Sequence, residues 1–182
     1  MPSMEKERKT SHKMFFAWNY DKEEAMLNEK SKNGWSLVKG GCFHSVFEKD
    51  DSKRYCYRID FNMNLLNNSE EKKRYIEMNE DLGWEFINVT FNGWIYLRKE
   101  YREDVSNENY DIYTDTESFN AMMDRWIHFS YGLILLEAVL FVVYTYLLIQ
   151  SKEWLYAIDL AVFVMAGFFI YQGMLKMKEK KK

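Results

Sequence analysis

The sequence predicts an α+β domain of ferredoxin-like type, a tandem β-α-β-β repeat, followed by a two-helix transmembrane hairpin. Three observations carry this. Gly-Trp occurs at Gly34-Trp35 and again 49 positions later at Gly83-Trp84, each time after a charged run and before a strand-like run. At that offset Leu27 matches Ile76, Leu37 matches Phe86, Val38 matches Ile87, Val46 matches Ile95, Phe47 matches Tyr96 and Lys49 matches Arg98, which is self-similarity of a whole unit. Two apolar runs, residues 126–149 and 154–175, then close the chain. The expected organisation is a polar tail over 1–12, the α+β domain over 13–103, an acidic linker over 104–124, the hairpin over 125–175 and a basic tail over 176–182.

The first unit opens with a strand at "MFFAW", residues 14–18, and Asn19-Tyr20-Asp21 signals a helix start. A polar helix over about 22–33 ends at Gly34, where a C-cap needs a left-handed residue. Trp35 begins a strand to about Lys39, Gly40-Gly41 turns the chain, and "FHSVFEK" returns antiparallel. The second unit opens with "RYCYRIDF", residues 54–61. Its helix runs from Ser69, taken as N-cap, to Leu82, with Tyr75, Met78 and Leu82 on one stripe. Gly83 stops it, and "WEFINV" and "GWIYLRK" make a hairpin across Asn92-Gly93. Six such strands should form one antiparallel sheet with two helices on one face. In the first helix Lys30 and Ser31 stand where apolar residues are wanted, so that helix is expected to be partly loose or to lie at an edge.

Each apolar run has the length a helix needs to cross a hydrocarbon core of roughly 30 Å. Trp126, Tyr131, Trp154, Tyr156 and Tyr171 lie towards the run ends, where amphipathic rings prefer the interface. Lys176, Lys178, Lys180, Lys181 and Lys182 follow the second run, while the hairpin loop has only Lys152, balanced by Glu153. The positive-inside rule therefore places both ends of the chain on the cytoplasmic side of a membrane, with lipid head groups within reach of the tail. Glu137 lies 11 residues into its span, roughly 16 Å deep. An ionisable residue at that depth is either an interhelical contact or a proton or ion site. Asp159 can reach the outer interface, and the two carboxylates differ in depth by roughly 10 Å, so they do not form one ion site.

The 182 residues carry 25 Lys and Arg against 28 Asp and Glu, a net charge of -3. Residues 1–104 are balanced at 18 against 19, residues 105–124 hold no basic and 5 acidic residues, and five of the remaining seven cations are tail lysines. No basic face results, so direct nucleic-acid binding is not expected. Cys42 and Cys56 have no Cys/His partners at metal-ligand spacing, and they read as free thiols in a reducing compartment. The three histidines, His12, His44 and His128, are far apart, and no Gly-rich phosphate loop, GxSxG or HExxH occurs. No catalytic residue, metal ligand or cofactor is therefore assigned.

Gly34, Trp35, Gly83 and Trp84 are read as architectural, with a ligand-stacking pair as the alternative. "RYCYRIDF" alternates, so Tyr55, Tyr57, Ile59 and Phe61 share one face and Cys56, Arg58 and Asp60 the other. Neighbouring strands are apolar on both faces, which leaves one face for a ligand, a partner protein or a second copy of the chain. Arg58, Asp60, Cys56 and Trp94 are the candidate surface, against the simpler reading of Arg58 and Asp60 as a cross-strand salt bridge.

"YDKEEAMLNEKSKNGWSLVKG", "YCYRIDF", "YIEMNEDLGWEFI" and "GWIYLRK" resemble the mostly Firmicute family called domain of unknown function twenty-eight-twelve, over about residues 13–99. The resemblance implies a trailing pair of spans and a gene neighbour encoding a PadR-like winged-helix repressor, hence a regulatory partnership. It supplies no catalytic residues, and Lys30 departs from the apolar residue wanted there. The functional expectation is a membrane-anchored, non-enzymatic regulatory or sensory protein whose cytoplasmic domain binds a partner such as that repressor. The alternatives are an accessory subunit of a transporter or efflux system and a tethered small-ligand-binding domain.

Overall fold

The computed structural model describes residues 7–181, so residues 1–6 of the expected polar tail and Lys182 of the basic tail lie outside it. The chain divides into two units, one ending at Asp115 and one starting at Thr116.

The first unit is α+β. Its strands are β1 (Arg8–Ser11), β2 (Trp35–Lys39), β3 (Ser45–Lys49), β4 (Tyr55–Phe61), β5 (Glu85–Val89) and β6 (Trp94–Glu100). Its helices are α1 (Tyr20–Lys32) and α2 (Ser69–Asp81), so the element order is β-α-β-β twice. The strands form two three-stranded antiparallel sheets, ordered β1-β3-β2 and β4-β6-β5. Side chains of the second sheet meet the free edge of β2, where a fifth ladder would join the two sheets. The Leu37 N–H donates to the Tyr57 hydroxyl at 2.8 Å, and Asn88 accepts from the Gly40 N–H at 2.8 Å and donates to the Gly40 carbonyl at 3.0 Å.

The first strand is not "MFFAW". Residues 8–11 of the expected tail pair with β3 from Arg8↔Glu48 to Ser11↔Ser45, and Arg8 bonds Glu48 at 3.2 Å. Backbone pairing and one ion pair thus make a strand from four polar residues. The aromatic run instead leads into a 3-10 turn at Ala17–Asn19, with Phe16 stacked on Trp18 at 4.8 Å.

The repeat is visible in the backbone. Both hairpins carry a register shift at equivalent places, Leu37/Lys39 and Phe86/Asn88. Beyond it Lys39 pairs with Val46 but Asn88 with Tyr96, so the second hairpin holds one more residue and β3 matches β6 at an offset of 50. Phe47 therefore corresponds to Leu97, both fully buried, rather than to Tyr96. Lys49 likewise corresponds to Lys99 rather than to Arg98.

That register explains Gly-Trp. Gly34 and Gly83 hold φ of 73° and 80°, the left-handed conformation that ends α1 and α2. Lys49 Nζ then lies 5.8 Å from the Trp35 ring and donates to the Asn33 carbonyl at 3.1 Å. Lys99 Nζ lies 5.7 Å from the Trp84 ring and donates to the Leu82 carbonyl at 2.8 Å. In each unit a lysine from the returning strand covers the tryptophan and meets the negative end of the helix.

α1 packs along β4 through polar atoms. Glu24, Asn28 and Ser31 share one helix face and accept the N–H groups of Ile59, Tyr57 and Tyr55 at 2.7, 2.8 and 2.7 Å. The helix stands where a strand neighbour would, so Ser31 in an apolar-looking slot is a hydrogen-bond partner. Lys30 lays its Nζ 4.6 Å from the Phe47 ring.

α2 is capped by Asn68, not Ser69: the Asn68 side chain accepts the Glu71 N–H at 3.0 Å. Its packing face is Tyr75 with Asn79, while Met78 and Leu82 of the expected stripe are exposed, because α2 rests on a core of Leu65, Trp84, Ile95 and Leu97. Both faces of the second sheet are thereby covered. The Tyr57, Ile59 and Phe61 face is buried on the α1 side, and the Ile95 and Leu97 face lies in the core beside α2.

Residues 104–115 are not a free linker. Tyr110 is buried, stacks on Tyr101 at 5.3 Å and accepts the Arg102 N–H at 2.7 Å. Ile112 packs on the core beside α2, and the Asn109 carbonyl accepts from Lys99 at 3.1 Å. Residues 116–124 are the opening turns of a helix.

The second unit is α3 (Thr116–Ser151) and α4 (Leu155–Glu179), both long and apolar enough to cross a membrane. They turn at Lys152, φ 57°. The antiparallel pairing is marked by Lys181–Asp124 at 2.8 Å, Lys178 donating to the Tyr131 hydroxyl at 3.0 Å, and Tyr144 against Phe163 at 5.0 Å. Two spans put the segments before and after the hairpin on the same side of the membrane, and the lysines after α4 mark that side as cytoplasmic.

Candidate functional site

The start of α1, β6 and the two hairpin turns enclose an aromatic pocket. The aromatic residues displaced from the first strand supply one wall, Phe15 and Phe16. α1 supplies Tyr20 and Glu23, and β6 supplies Trp94 and Tyr96. Cys42 and Asn92 close it from the hairpin turns. The pocket holds about 60 Å³, enough for a few waters or one small head group and well below a drug-sized site of roughly 300–1,000 Å³.

Each wall is fixed by its neighbours. Trp94 sits between Tyr20, 5.9 Å away and near parallel, and Phe61, 5.1 Å away and tilted. The Tyr96 ring lies against the backbone of Gly40, where a Cβ would stand 2.5 Å from the ring. Its hydroxyl donates to Glu23 at 2.8 Å. Burial raises the Glu23 carboxyl above its ordinary range, opposed by that hydrogen bond. The Cys42 thiol donates to Asn92 Oδ1 at 3.0 Å, and burial pushes it up as well.

Exposed rings surround the same end of the unit. Phe16, Phe43 and Phe91 are 59%, 60% and 71% exposed, and Phe43 of the first hairpin stacks on Phe91 of the second at 6.4 Å.

The structure divides the candidate surface read from the sequence. Trp94 lines the aromatic pocket. Cys56, Arg58 and Asp60 lie together on the opposite face of β4, covered by chain that the sequence reading left as linker. Arg58 pairs with Asp111 at 3.0 Å rather than with Asp60, and its Nη1 lies 3.4 Å from Cys56 Sγ. Asp60 accepts from the Tyr75 hydroxyl at 2.8 Å and from the Tyr113 hydroxyl. These residues bind the segment to the sheet. Behind β4, burial pushes the Glu24 carboxyl up to about 7, against the pull of the Ile59 N–H and Arg58.

Within the hairpin, Glu137 Oε2 rests against Gly167, where a Cβ would stand 2.7 Å away, and it has no hydrogen-bond partner. Asp159 lies in the second turn of α4. Among the described residues no group of three or more His, Cys, Asp or Glu could hold a metal ion.

Sequence reasoning missed Glu23, Tyr20, Tyr96, Phe15 and Phe16 as a set. The available signal was the cluster of rings at 15–20 beside a helix start, which a strand assignment scattered over two faces.

Fold and site together define a membrane-anchored α+β protein, with a cytoplasmic tandem β-α-β-β unit carrying an aromatic pocket. The chain belongs to the family described as "Protein of unknown function (DUF2812)", whose model matches residues 19–135. That span runs through the packed 104–115 segment into α3. Neither the comparison with curated proteins nor that with solved structures gives a match.

Proposed function

We propose that this chain is a membrane-anchored, non-enzymatic regulatory protein whose cytoplasmic unit binds a protein partner at the end marked by Phe16, Phe43 and Phe91. The observation behind this reading is the stacked, solvent-facing pair Phe43 and Phe91, which brings together the tips of both repeats. Contiguous exposed rings of this kind mark interaction surfaces. The family resemblance supplies the partner to test first, a PadR-like repressor held at the membrane.

The test is co-purification of the tagged full-length chain from its native membrane, with the bound proteins identified by mass spectrometry. Wild type should recover the repressor, and the double variant Phe43→Ser, Phe91→Ser should lose it while keeping its melting temperature within a few degrees. Recovery that survives the double variant would refute the surface.

A second reading, an accessory subunit of a transporter, is favoured by one feature: the unpartnered Glu137 carboxyl inside the hairpin. It requires that Glu137→Gln alter transport or drug tolerance; a variant indistinguishable from wild type would count against it.

A further inference from the structure

We propose that the aromatic pocket is a binding site for an organic cation, taking a methylated ammonium head between the rings and against Glu23. This inference does not depend on the repressor, because it concerns what the unit binds directly.

Four features point to this chemistry. Five of the nine lining residues are aromatic, Phe15, Phe16, Tyr20, Trp94 and Tyr96, and clustered rings attract a cation through their negative faces. The single acidic lining residue, Glu23, comes from the first turn of α1, and Tyr96 orients its carboxylate through one hydrogen bond. Among the described residues no lysine or arginine lines the pocket or pairs with Glu23, so the negative charge there has no internal counter-ion. Lys13 Nζ lies 5.1 Å from the Phe15 ring without lining the pocket, within the range of a cation–ring attraction.

Size restricts the ligand. At about 60 Å³ the pocket admits a head group and not a whole drug-like molecule. Any apolar body would lie outside, over Phe16 and the Phe43–Phe91 pair. The class is therefore a small quaternary amine, or an amphiphile with such a head. A carboxylate or phosphate would meet Glu23 and be repelled.

The test uses full-length protein in detergent and two isosteric probes, choline and its uncharged carbon analogue 3,3-dimethylbutan-1-ol. Binding is followed by tryptophan fluorescence, since Trp94 lines the site, and by calorimetry. Choline should bind saturably and at least about tenfold more tightly than the alcohol. Glu23→Gln should weaken choline by about tenfold and leave the alcohol unchanged. Should that variant fold poorly, the exposed Phe16→Leu serves in its place, weakening choline more than the alcohol. Equal binding of both probes to wild type, or no saturable choline binding, overturns the proposal whatever happens to the repressor.

Discussion

Asn28 brackets Tyr57: its side-chain oxygen accepts the Tyr57 N–H at 2.8 Å, and its amide donates to the Tyr57 carbonyl at 3.3 Å. One side chain thus makes both bonds that a neighbouring strand would make to that residue. Glu24 and Ser31 extend the arrangement to Ile59 and Tyr55, so three alternate N–H groups of β4 are met by one helix face. An edge strand treated this way is closed to pairing with another chain.

Replacing Asn28 should therefore cost more than its polarity suggests. Asn28→Ala leaves the part-buried Tyr57 N–H without a partner, whereas the Tyr57 carbonyl still accepts from Arg58 Nη1 at 3.0 Å, so a loss of about 1–3 kcal/mol for one unsatisfied group is expected. Glu29→Ala, on the exposed side of the same helix, should stay within about 0.5 kcal/mol. Denaturant titration of the detergent-solubilised protein measures both. Equal effects would mean that α1 contributes only by contact area.

Glu24 predicts a pH dependence of unusual sign. Its carboxyl is raised to about 7 by burial, opposed by the Ile59 N–H and by Arg58, with Asp21 and Asp111 adding to the rise. Between its ordinary value of 4.5 and about 7 the folded chain holds a proton that the unfolded chain has released. Stability from this group is thus full below the ordinary value and falls as pH rises through that window, by roughly 3 kcal/mol at most. Glu24→Gln keeps an oxygen for the Ile59 N–H and has no proton to lose. Its melting temperature should decline less steeply from pH 5 to 8 than that of wild type, with the Glu23 carboxyl, also raised by burial, supplying part of the slope that remains. A parallel decline in both would assign the slope to other groups.

Two glycines separate backbone strain from crowding. Gly83 has φ 80°, and a Cβ there would meet nothing closer than Lys99 Cε at 3.4 Å, so Gly83→Ala should cost about 1 kcal/mol from the left-handed conformation alone. A Cβ at Gly40 would strike the Tyr96 ring at 2.5–2.6 Å. Gly40→Ala should cost about 1–3 kcal/mol and also perturb the pocket, since Tyr96 forms one wall. Tryptophan fluorescence and thermal melts together distinguish the two: Gly83→Ala should shift the melt alone, Gly40→Ala both.

The periodic features were legible in the sequence and the relational ones were not. Gly34 and Gly83 announced two helix ends because a left-handed terminus needs glycine, and the two spans declared themselves by length and apolarity. β1 was illegible because "RKTS" has no strand pattern of its own; its partner β3 makes it a strand. Phe15 and Phe16 misled because aromatic residues favour strands, whereas here they wall a pocket. Ser31 looked like a packing fault because helices are read for apolar stripes, and this helix meets a strand edge through hydrogen bonds. Trp94 alone of the pocket was singled out, since its neighbours in space come from four separate parts of the chain.

The acidic segment gives the last prediction. Residues 104–115 look mobile by composition, but Asp111, Ile112 and Tyr113 reach Arg58, the core and Asp60. Exposed flexible chain is cut readily and packed chain is not. No trypsin site exists between Arg102 and Arg125, so chymotrypsin, which cuts after Tyr110 and Tyr113, is the suitable probe. The native protein in detergent should resist cleavage at both tyrosines on a timescale that removes an unstructured tail. Arg58→Ala with Tyr113→Ala removes two of the attachments and should make Tyr110 cleavable without unfolding the sheets, at a cost of about 2 kcal/mol. The same double variant should leave choline binding unchanged, because the pocket lies on the other face of the second sheet. Rapid cleavage of wild type at Tyr110 would return the segment to the status of a free tether, and the domain would then end at Tyr101.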